Sequence, residues 1–223
     1  MKSGSVIPLA IIMGGLILAG AVYITVSTSE NGPTGDPSLV RPVDASDHIS
    51  GNPAAPVILI EYADFECEFC RGINDTLHNV VANTGTGGEV AVVFRHFPIT
   101  EKHPTAFLAA RAAECVALTA GTDAFWKFAD SLFANQPIDP NTLGSLASSA
   151  GAPSAAFTAC YVNAETTVDS RINADRKNAI DAGAHGTPYT LLQVAGKAPV
   201  VIDGAYSYDV LKGFVDRALS SAQ

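Results

Sequence analysis

The order of apolar and polar positions predicts a central strand followed directly by an amphipathic helix. Residues 56–64 (PVILIEYAD) form a β-branched run that is apolar on both faces. A strand of this kind is covered by helices on both sides. Apolar positions then recur at helical spacing, at Cys70, Ile73, Leu77, Val80 and Val81. A second strand is predicted at Glu89 to Phe97 (EVAVVFRHF).

The pattern of residues 103–184 is helical, with separate helices expected at 140–149, 153–161 and 164–182. Strand signals return at 189–194 and 199–202, joined by a hairpin turn at Gly196-Lys197, and a last helix is predicted at about 207–220. The simplest architecture is therefore an α/β fold with one sheet assembled from both ends of the domain and an all-helical block inserted.

The first residues predict a membrane anchor. Residues 1–5 contain Lys2, and residues 6–27 are uncharged and strongly apolar, about the length that a transmembrane helix needs. The positive-inside tendency places the N-terminus in the cytoplasm and the rest outside. A cleaved signal peptide is the alternative, because Ala19-Gly20-Ala21 fits a cleavage pattern. Under either interpretation, the domain that follows is expected outside the cytoplasm.

Residues 28–46 are rich in Ser, Gly, Pro and Asp, so we expect a flexible linker before a globular domain at 47–223. The formal net charge of −9 argues against nucleic acid as a partner, since phosphate binding needs clustered Lys and Arg.

The Cys67-Glu68-Phe69-Cys70 motif lies at the junction of the central strand and its helix. Unpaired N–H groups at a helix N-terminus favour a thiolate on Cys67, and we expect it to be exposed. Cys70 lies on the apolar stripe and should be buried, ready to resolve a mixed disulfide. Half of a zinc site is a competing interpretation, but no second Cys-x-x-Cys exists, only His185 lies near a plausible loop, and no metal is expected. A purely structural disulfide is also open, although such a short loop stabilises little.

Acidic residues around the motif affect its chemistry. Glu61 interrupts the apolar strand on a face that should be covered; a buried carboxyl group has a raised pKa and suits proton transfer to or from Cys70. The alternative is a strand-end carboxylate turned to solvent. Glu68 opposes a thiolate by like-charge repulsion, Glu66 adds to it, and Arg71 favours the thiolate.

Gly186-Thr187-Pro188 directly precedes a predicted strand, and a proline at this position is also compatible with simply beginning that strand. Together with YADFECEFC, FRHFP and the helical insertion, this segment resembles the DsbA-like branch of the thioredoxin superfamily (DsbA/BdbD type), over roughly residues 48–220. The resemblance implies a thioredoxin-like fold in which Pro188 is a cis-proline facing the disulfide and the Thr187 backbone pairs with an extended substrate. It also places Glu61 at the branch's buried acid. Glu68 departs from the proline that commonly follows the first cysteine, which leaves the strength as an oxidant open.

Cys115 and Cys160 lie on predicted helices of the inserted block. We expect a structural disulfide between them. Two buried free thiols, or a second redox pair, are the alternatives.

The leading hypothesis is a protein disulfide oxidoreductase, a monomeric oxidase of exported cysteine-containing proteins that needs no cofactor. By resemblance, a quinone-linked DsbB-like or vitamin K epoxide reductase (VKOR)-like membrane protein would reoxidise it. A reductase or isomerase of the same fold is the alternative within the enzyme class. A non-catalytic client-binding module is the alternative outside it.

Overall fold

The computed structural model describes residues 35–84, 87–164 and 167–222, and these form a five-stranded sheet with helices on both faces. In chain order the elements are β1 (His48–Gly51), β2 (Val57–Ala63), α1 (Glu68–Thr84), β3 (Val90–His96), α2 (Ala106–Ala120), α3 (Thr122–Ala134), α4 (Leu143–Ala150), α5 (Ser154–Val162), α6 (Val168–Asp181), β4 (Tyr189–Val194), β5 (Val200–Asp203) and α7 (Tyr208–Ala222). Short 3₁₀ turns occur at Pro37–Leu39 and Pro140–Thr142.

The strand order is β1-β3-β2-β4-β5, so the first long apolar strand lies at the centre of the sheet. β2 pairs parallel with β3 and antiparallel with β4, which comes from the far end of the chain. This confirms the thioredoxin-like α/β fold with a helical insertion, here α2 to α6, between β3 and β4.

The two faces of the sheet bury different sets of residues. Leu59 and Val92 face a large core shared with α1, α7 and the inserted helices. Ile60 and Val93 face a smaller core closed by Ala179 of α6. Both faces of β2 are therefore covered, as its apolar run predicts.

β1 was not predicted, because its four residues carry only one buried side chain, that of His48. It pairs antiparallel with β3, so that His48 lies opposite Phe94.

The predicted linker 28–46 differs from the structure in its second half. Residues 37–39 form a 3₁₀ turn, and Arg41 bonds Asp47 (2.6 Å) and Asp175 (3.1 Å). Polar composition indicates a linker only where the charges lack partners, and these charges have partners inside the fold.

The predicted cytoplasmic N-terminus, transmembrane span 6–27 and start of the linker lie outside the described residues. Within 35–84, 87–164 and 167–222, no helix combines the length and the apolarity that a bilayer crossing requires.

Candidate active site

The sulfur of Cys67 lies where β2 turns into α1. After β2, Asp64 accepts hydrogen bonds from the backbone of Cys67 through its carbonyl oxygen (3.1 Å) and of Glu66 through its side chain (2.8 Å). The turn places Cys67 directly before Glu68, the first residue of α1, so the free N–H groups of the first helical turn surround its sulfur.

Cys67 and Cys70 are both thiols in the structure and lie together at the edge of the main core. Cys70 is fully buried, as predicted for the inner cysteine. Cys67 is only 6% exposed, so the expectation of an exposed sulfur is wrong. The reason is the loop before β4: the thiol of Cys67 donates to the carbonyl oxygen of Thr187 at 3.4 Å, which covers the sulfur.

The two thiols have opposite pKa shifts. A hydrogen bond from the Cys70 thiol, helped by the backbone N–H groups of Cys70 and Phe69, lowers the pKa of Cys67 to about 5 although burial opposes the shift. Burial raises the pKa of Cys70 well above its ordinary value, and donation to Cys67 raises it further. A stable thiolate beside a persistent thiol is the arrangement that dithiol–disulfide exchange requires.

Glu61 lies on β2 with 1% exposure, and neither of its carboxyl oxygens has a hydrogen-bond partner. The alternative of a solvent-facing carboxylate is therefore excluded. Burial, and then the negative charge of Cys67, raise the pKa of Glu61 to about 8. A carboxyl group with this pKa can hold a proton at neutral pH and release it when the charge nearby changes.

The Thr187–Pro188 peptide bond is cis, and Pro188 enters β4 immediately beside β2. A cleft of about 520 Å³ opens next to Cys67. It is lined by Glu66, Cys67, Glu68, Phe69, Ile99, Lys102, His103, Gly186 and Thr187. Phe69 is 67% exposed, which gives the rim of this cleft an apolar contact surface.

Glu68 and Arg71, which were expected to act on the thiolate in opposite directions, form a pair with each other at 3.5 Å. Their side chains are 81% and 45% exposed. An ion pair this exposed is weak and screened by salt. The hydrogen bonds at the helix start are therefore the stronger influence on the thiol of Cys67.

The sequence did not single out Asp64 or Gln136 as site residues, and it favoured His103 as a packed or surface histidine rather than a catalyst. Asp64 accepts a hydrogen bond from His103 Nδ1 at 2.8 Å. Gln136 Nε2 donates to the backbone oxygens of Phe65 (2.7 Å) and Cys67 (3.2 Å). These bonds connect the helical insertion to the turn at residues 64–67, called the cysteine turn below. Only Asp64, at the end of the apolar strand and three residues before Cys67, carried a local signal, since Asp readily caps a turn.

Cys115 of α2 and Cys160 of α5 are joined by a disulfide with a Cα–Cα distance of 5.6 Å. The bond lies within the helical insertion and is separate from the pair Cys67 and Cys70. The alternative of two buried free thiols at these positions therefore does not apply to the structure, and the alternative of a second redox pair stays a prediction.

One group of residues within the described ranges could hold a metal ion: His48, His96 and Glu114, all buried. Both histidine Nε2 atoms contact the same oxygen of Glu114, at 2.6 and 2.8 Å, and Arg171 Nε lies 2.8 Å from it. The guanidinium neutralises the carboxylate, so these side chains form a buried ion network. His185, considered above as a metal ligand, is not part of it.

A family model and similar solved structures assign this chain to the same family. A family model described as Thioredoxin matches residues 44–217. The structure of BdbD from Bacillus subtilis (oxidised) is 25% identical, with a TM-score of 0.68 over 84% of this chain and 97% of that one. DsbA2 from Pseudomonas aeruginosa is also 25% identical, with a TM-score of 0.64 over 79% of this chain and 96% of that one. Alpha-DsbA1 from Wolbachia pipientis shares the fold, at 21% identity and a TM-score of 0.70 over 84% and 97%.

Curated relatives match only in part. The Na(+)/H(+) antiporter NhaA 1 of Mycolicibacterium gilvum is 43% identical over 99 residues, which are 44% of this chain and 15% of that protein. The antiporter NhaA of Herminiimonas arsenicoxydans is 33% identical over 152 residues, 67% of this chain and 23% of that protein. The chain thus matches less than a quarter of the length of either relative.

Proposed function

Since this chain belongs to the thioredoxin family, in its DsbA-like branch, and is a dithiol–disulfide exchange enzyme, we propose that it works as an oxidase of exported proteins. The observation that carries the proposal is the lowering of the pKa of Cys67 to about 5. A stabilised thiolate favours the reduced enzyme, so its disulfide passes readily to a client.

In the proposed reaction, a client thiolate attacks Cys67 Sγ of the Cys67–Cys70 disulfide. The bond between the two enzyme sulfurs breaks, and a mixed disulfide joins the client to Cys67. Cys70 leaves with the electron pair and takes a proton, for which buried Glu61 is the donor. A second client thiolate then attacks the client sulfur of the mixed disulfide and displaces Cys67 as a thiolate, which leaves an oxidised client and a reduced enzyme.

The cleft supports binding of an extended client segment. Thr187 and Cys67 line it together, and the Thr187 carbonyl oxygen lies 3.4 Å from Cys67 Sγ. We propose that a client backbone pairs with Thr187 as an added strand beside Pro188, while exposed Phe69 contacts client side chains. Backbone pairing suits an enzyme with many clients, because it does not depend on the client's side chains.

The proposed location is extracytoplasmic, with the predicted span 6–27 as a single anchor. The Cys115–Cys160 disulfide supports this location, since structural disulfides persist in oxidising compartments. The likeness to parts of antiporters supports no proposal of ion transport, because the matched segment is a small share of those proteins.

Each turnover leaves the enzyme reduced, so a continuing oxidase needs a partner that accepts two electrons. We propose a DsbB-like or VKOR-like membrane protein in this role, with an enzyme that is monomeric. The described residues form one sheet with one helical insertion, which gives a complete cleft within a single chain.

Equilibration of the full-length chain with glutathione buffers tests the proposal. We expect a midpoint closer to about −120 mV, typical of a strong oxidant, than to about −270 mV, typical of thioredoxin. A midpoint near the lower value would assign the chain to reduction instead.

Cys67→Ser should abolish thiol exchange; if its cellular function were unchanged, the chain would be a client-binding module. Cys70→Ser should retain mixed disulfides with clients, because the resolving thiol is absent.

A further inference from the structure

We propose that His103 is the general base for the incoming client thiol and that Asp64 positions it. This inference rests on the proposed function, because it concerns the client's side of the same exchange. The observation behind it is that His103, in the wall of the cleft that contains Cys67, is hydrogen-bonded to a buried carboxylate.

Asp64 fixes the position of the imidazole. Its side chain is fully buried, and one oxygen, Oδ2, accepts hydrogen bonds from His103 Nδ1 (2.8 Å) and from the backbone N–H of Ile99 (2.8 Å). The other oxygen accepts from the backbone of Glu66 at 2.8 Å. One carboxylate therefore joins the cysteine turn to the loop that carries His103.

The same contact selects the tautomer. A carboxylate only accepts hydrogen bonds, so neutral His103 carries its proton on Nδ1 and keeps a lone pair on Nε2. The side chain is 26% exposed and lines the cleft. An oriented imidazole with a free ring nitrogen is the arrangement by which His removes a proton from a nucleophile.

The charged groups facing this imidazole are few. Asp64 lies behind it, and Lys102, Glu66, Glu68 and the sulfur of Cys67 share the cleft with it. The base thus lies on the client side of Cys67, whereas Glu61 lies in the core behind it. His103 therefore deprotonates the client thiol on one side of Cys67 Sγ, and Glu61 protonates Cys70 on the other.

In the proposed step, the client S–H proton moves to His103 Nε2 as the client sulfur forms a bond to Cys67 Sγ. The Cys67–Cys70 bond breaks, and its electron pair goes to Cys70, which takes a proton from Glu61. His103 then releases its proton to solvent. In the reverse direction His103 protonates the departing client sulfur.

The size of the effect is bounded by the ionisation of the client thiol. A free alkyl thiol with a pKa of about 8.5 is only about 3% ionised at pH 7, so a base can raise the rate by at most about 30-fold. An aryl thiol that is already ionised at pH 7 gains nothing from a base.

The test is His103→Asn in the oxidised full-length chain. The asparagine amide can still donate to Asp64 from nearly the position of Nδ1, while the second ring nitrogen is lost. Stopped-flow rates of Cys67–Cys70 reduction are measured with an alkyl dithiol and with an ionised aryl thiol. We expect a loss of about 5- to 30-fold with the alkyl dithiol at pH 7, which shrinks toward none above pH 9, and an unchanged rate with the aryl thiol.

His78→Gln is the matched control, because His78 also lies near a carboxylate, Asp130 at 3.5 Å, but does not line the cleft. Equal losses with both thiols would overturn the proposal, since a disturbed site slows them alike. An unchanged alkyl rate at pH 7 would also overturn it. If the wild-type chain reacted with neither thiol, the exchange activity itself would be wrong, which is a separate result.

Discussion

At the scale of single residues, the site depends on two acids that differ in their surroundings. Asp64 accepts hydrogen bonds from Glu66, Ile99 and His103, whereas Glu61 has no hydrogen-bond partner for either oxygen. A buried carboxyl group without partners is costly to ionise, so Glu61 is suited to carry a proton rather than a charge.

Glu61→Gln should stabilise the reduced protein, in which both cysteines are thiols, and it should slow the reduction of the Cys67–Cys70 disulfide. The pKa of Glu61 rises from 4.5 to about 8 on folding. Its contribution to stability is therefore complete below pH 4.5 and is lost as pH rises through 8. Glutamine does not titrate. In urea unfolding, the free energy of unfolding of the variant should therefore exceed that of the wild type increasingly between pH 4.5 and 8, by a few kcal/mol at pH 8.

The exposed Glu68 provides the control, since Glu68→Gln removes a carboxylate that is 81% exposed and should leave unfolding unchanged within about 0.5 kcal/mol. The rate of disulfide reduction should fall for Glu61→Gln, because the proton donor for Cys70 is gone. A stability difference independent of pH would contradict a protonated Glu61 in the folded state.

At the scale of secondary-structure elements, the helical insertion is connected to the site by a few specific contacts. Gln136, after α3, donates to the backbone of the cysteine turn, and His48 of β1 and His96 of β3 both bond Glu114 of α2. Because a buried polar group is expensive to leave unpaired, these contacts fix the insertion relative to the sheet.

The disulfide between α2 and α5 should contribute stability without contributing to exchange. Replacing Cys115 and Cys160 together by Ala opens a loop of 45 residues, with an expected loss of up to about 4 kcal/mol in unfolding free energy. Glutathione titration of the variant should give the same midpoint for Cys67–Cys70 as the wild type. A changed midpoint, with the fold intact, would indicate that the second pair takes part in redox chemistry.

At the scale of the whole molecule, the segment before β1 completes the domain. Arg95 of β3 is fully buried and bonds both carboxylate oxygens of Asp47 at 3.0 Å. It also donates to the backbone oxygens of Arg41 (3.1 Å) and Pro42 (3.2 Å). The segment therefore neutralises a charge that the sheet could not otherwise bury.

Asp47→Ala should destabilise the domain by about 3–5 kcal/mol, because it leaves a buried guanidinium without its counter-charge. Asp44→Ala is the matched control, since Asp44 lies 3.7 Å from Arg41 with its side chain 60% exposed, and should cost at most about 1 kcal/mol. Denaturant unfolding measures both. Similar losses for the two variants would show that the segment does not depend on the Arg95 pair.

The sequence by itself determined the parts of this protein that depend on local pattern. The two-faced apolar run gave the central strand β2, the change to helical spacing gave α1, and their junction placed Cys67 and Cys70. A single acid in an apolar strand was enough to predict a buried Glu61. These features were predictable because periodicity and helix ends act over a few residues.

Only the tertiary structure decided which distant groups meet. Residues 35–46 have the composition of a linker, yet Arg41 forms an ion pair with Asp175, which is distant in sequence. The burial of Cys67 likewise depends on Thr187. The pairing of Asp64 with His103 and of His48 with Glu114 also joins residues far apart in sequence. Charges and hydrogen-bonding groups have no period along the chain, so their partners are set by the packing of the sheet and the inserted helices.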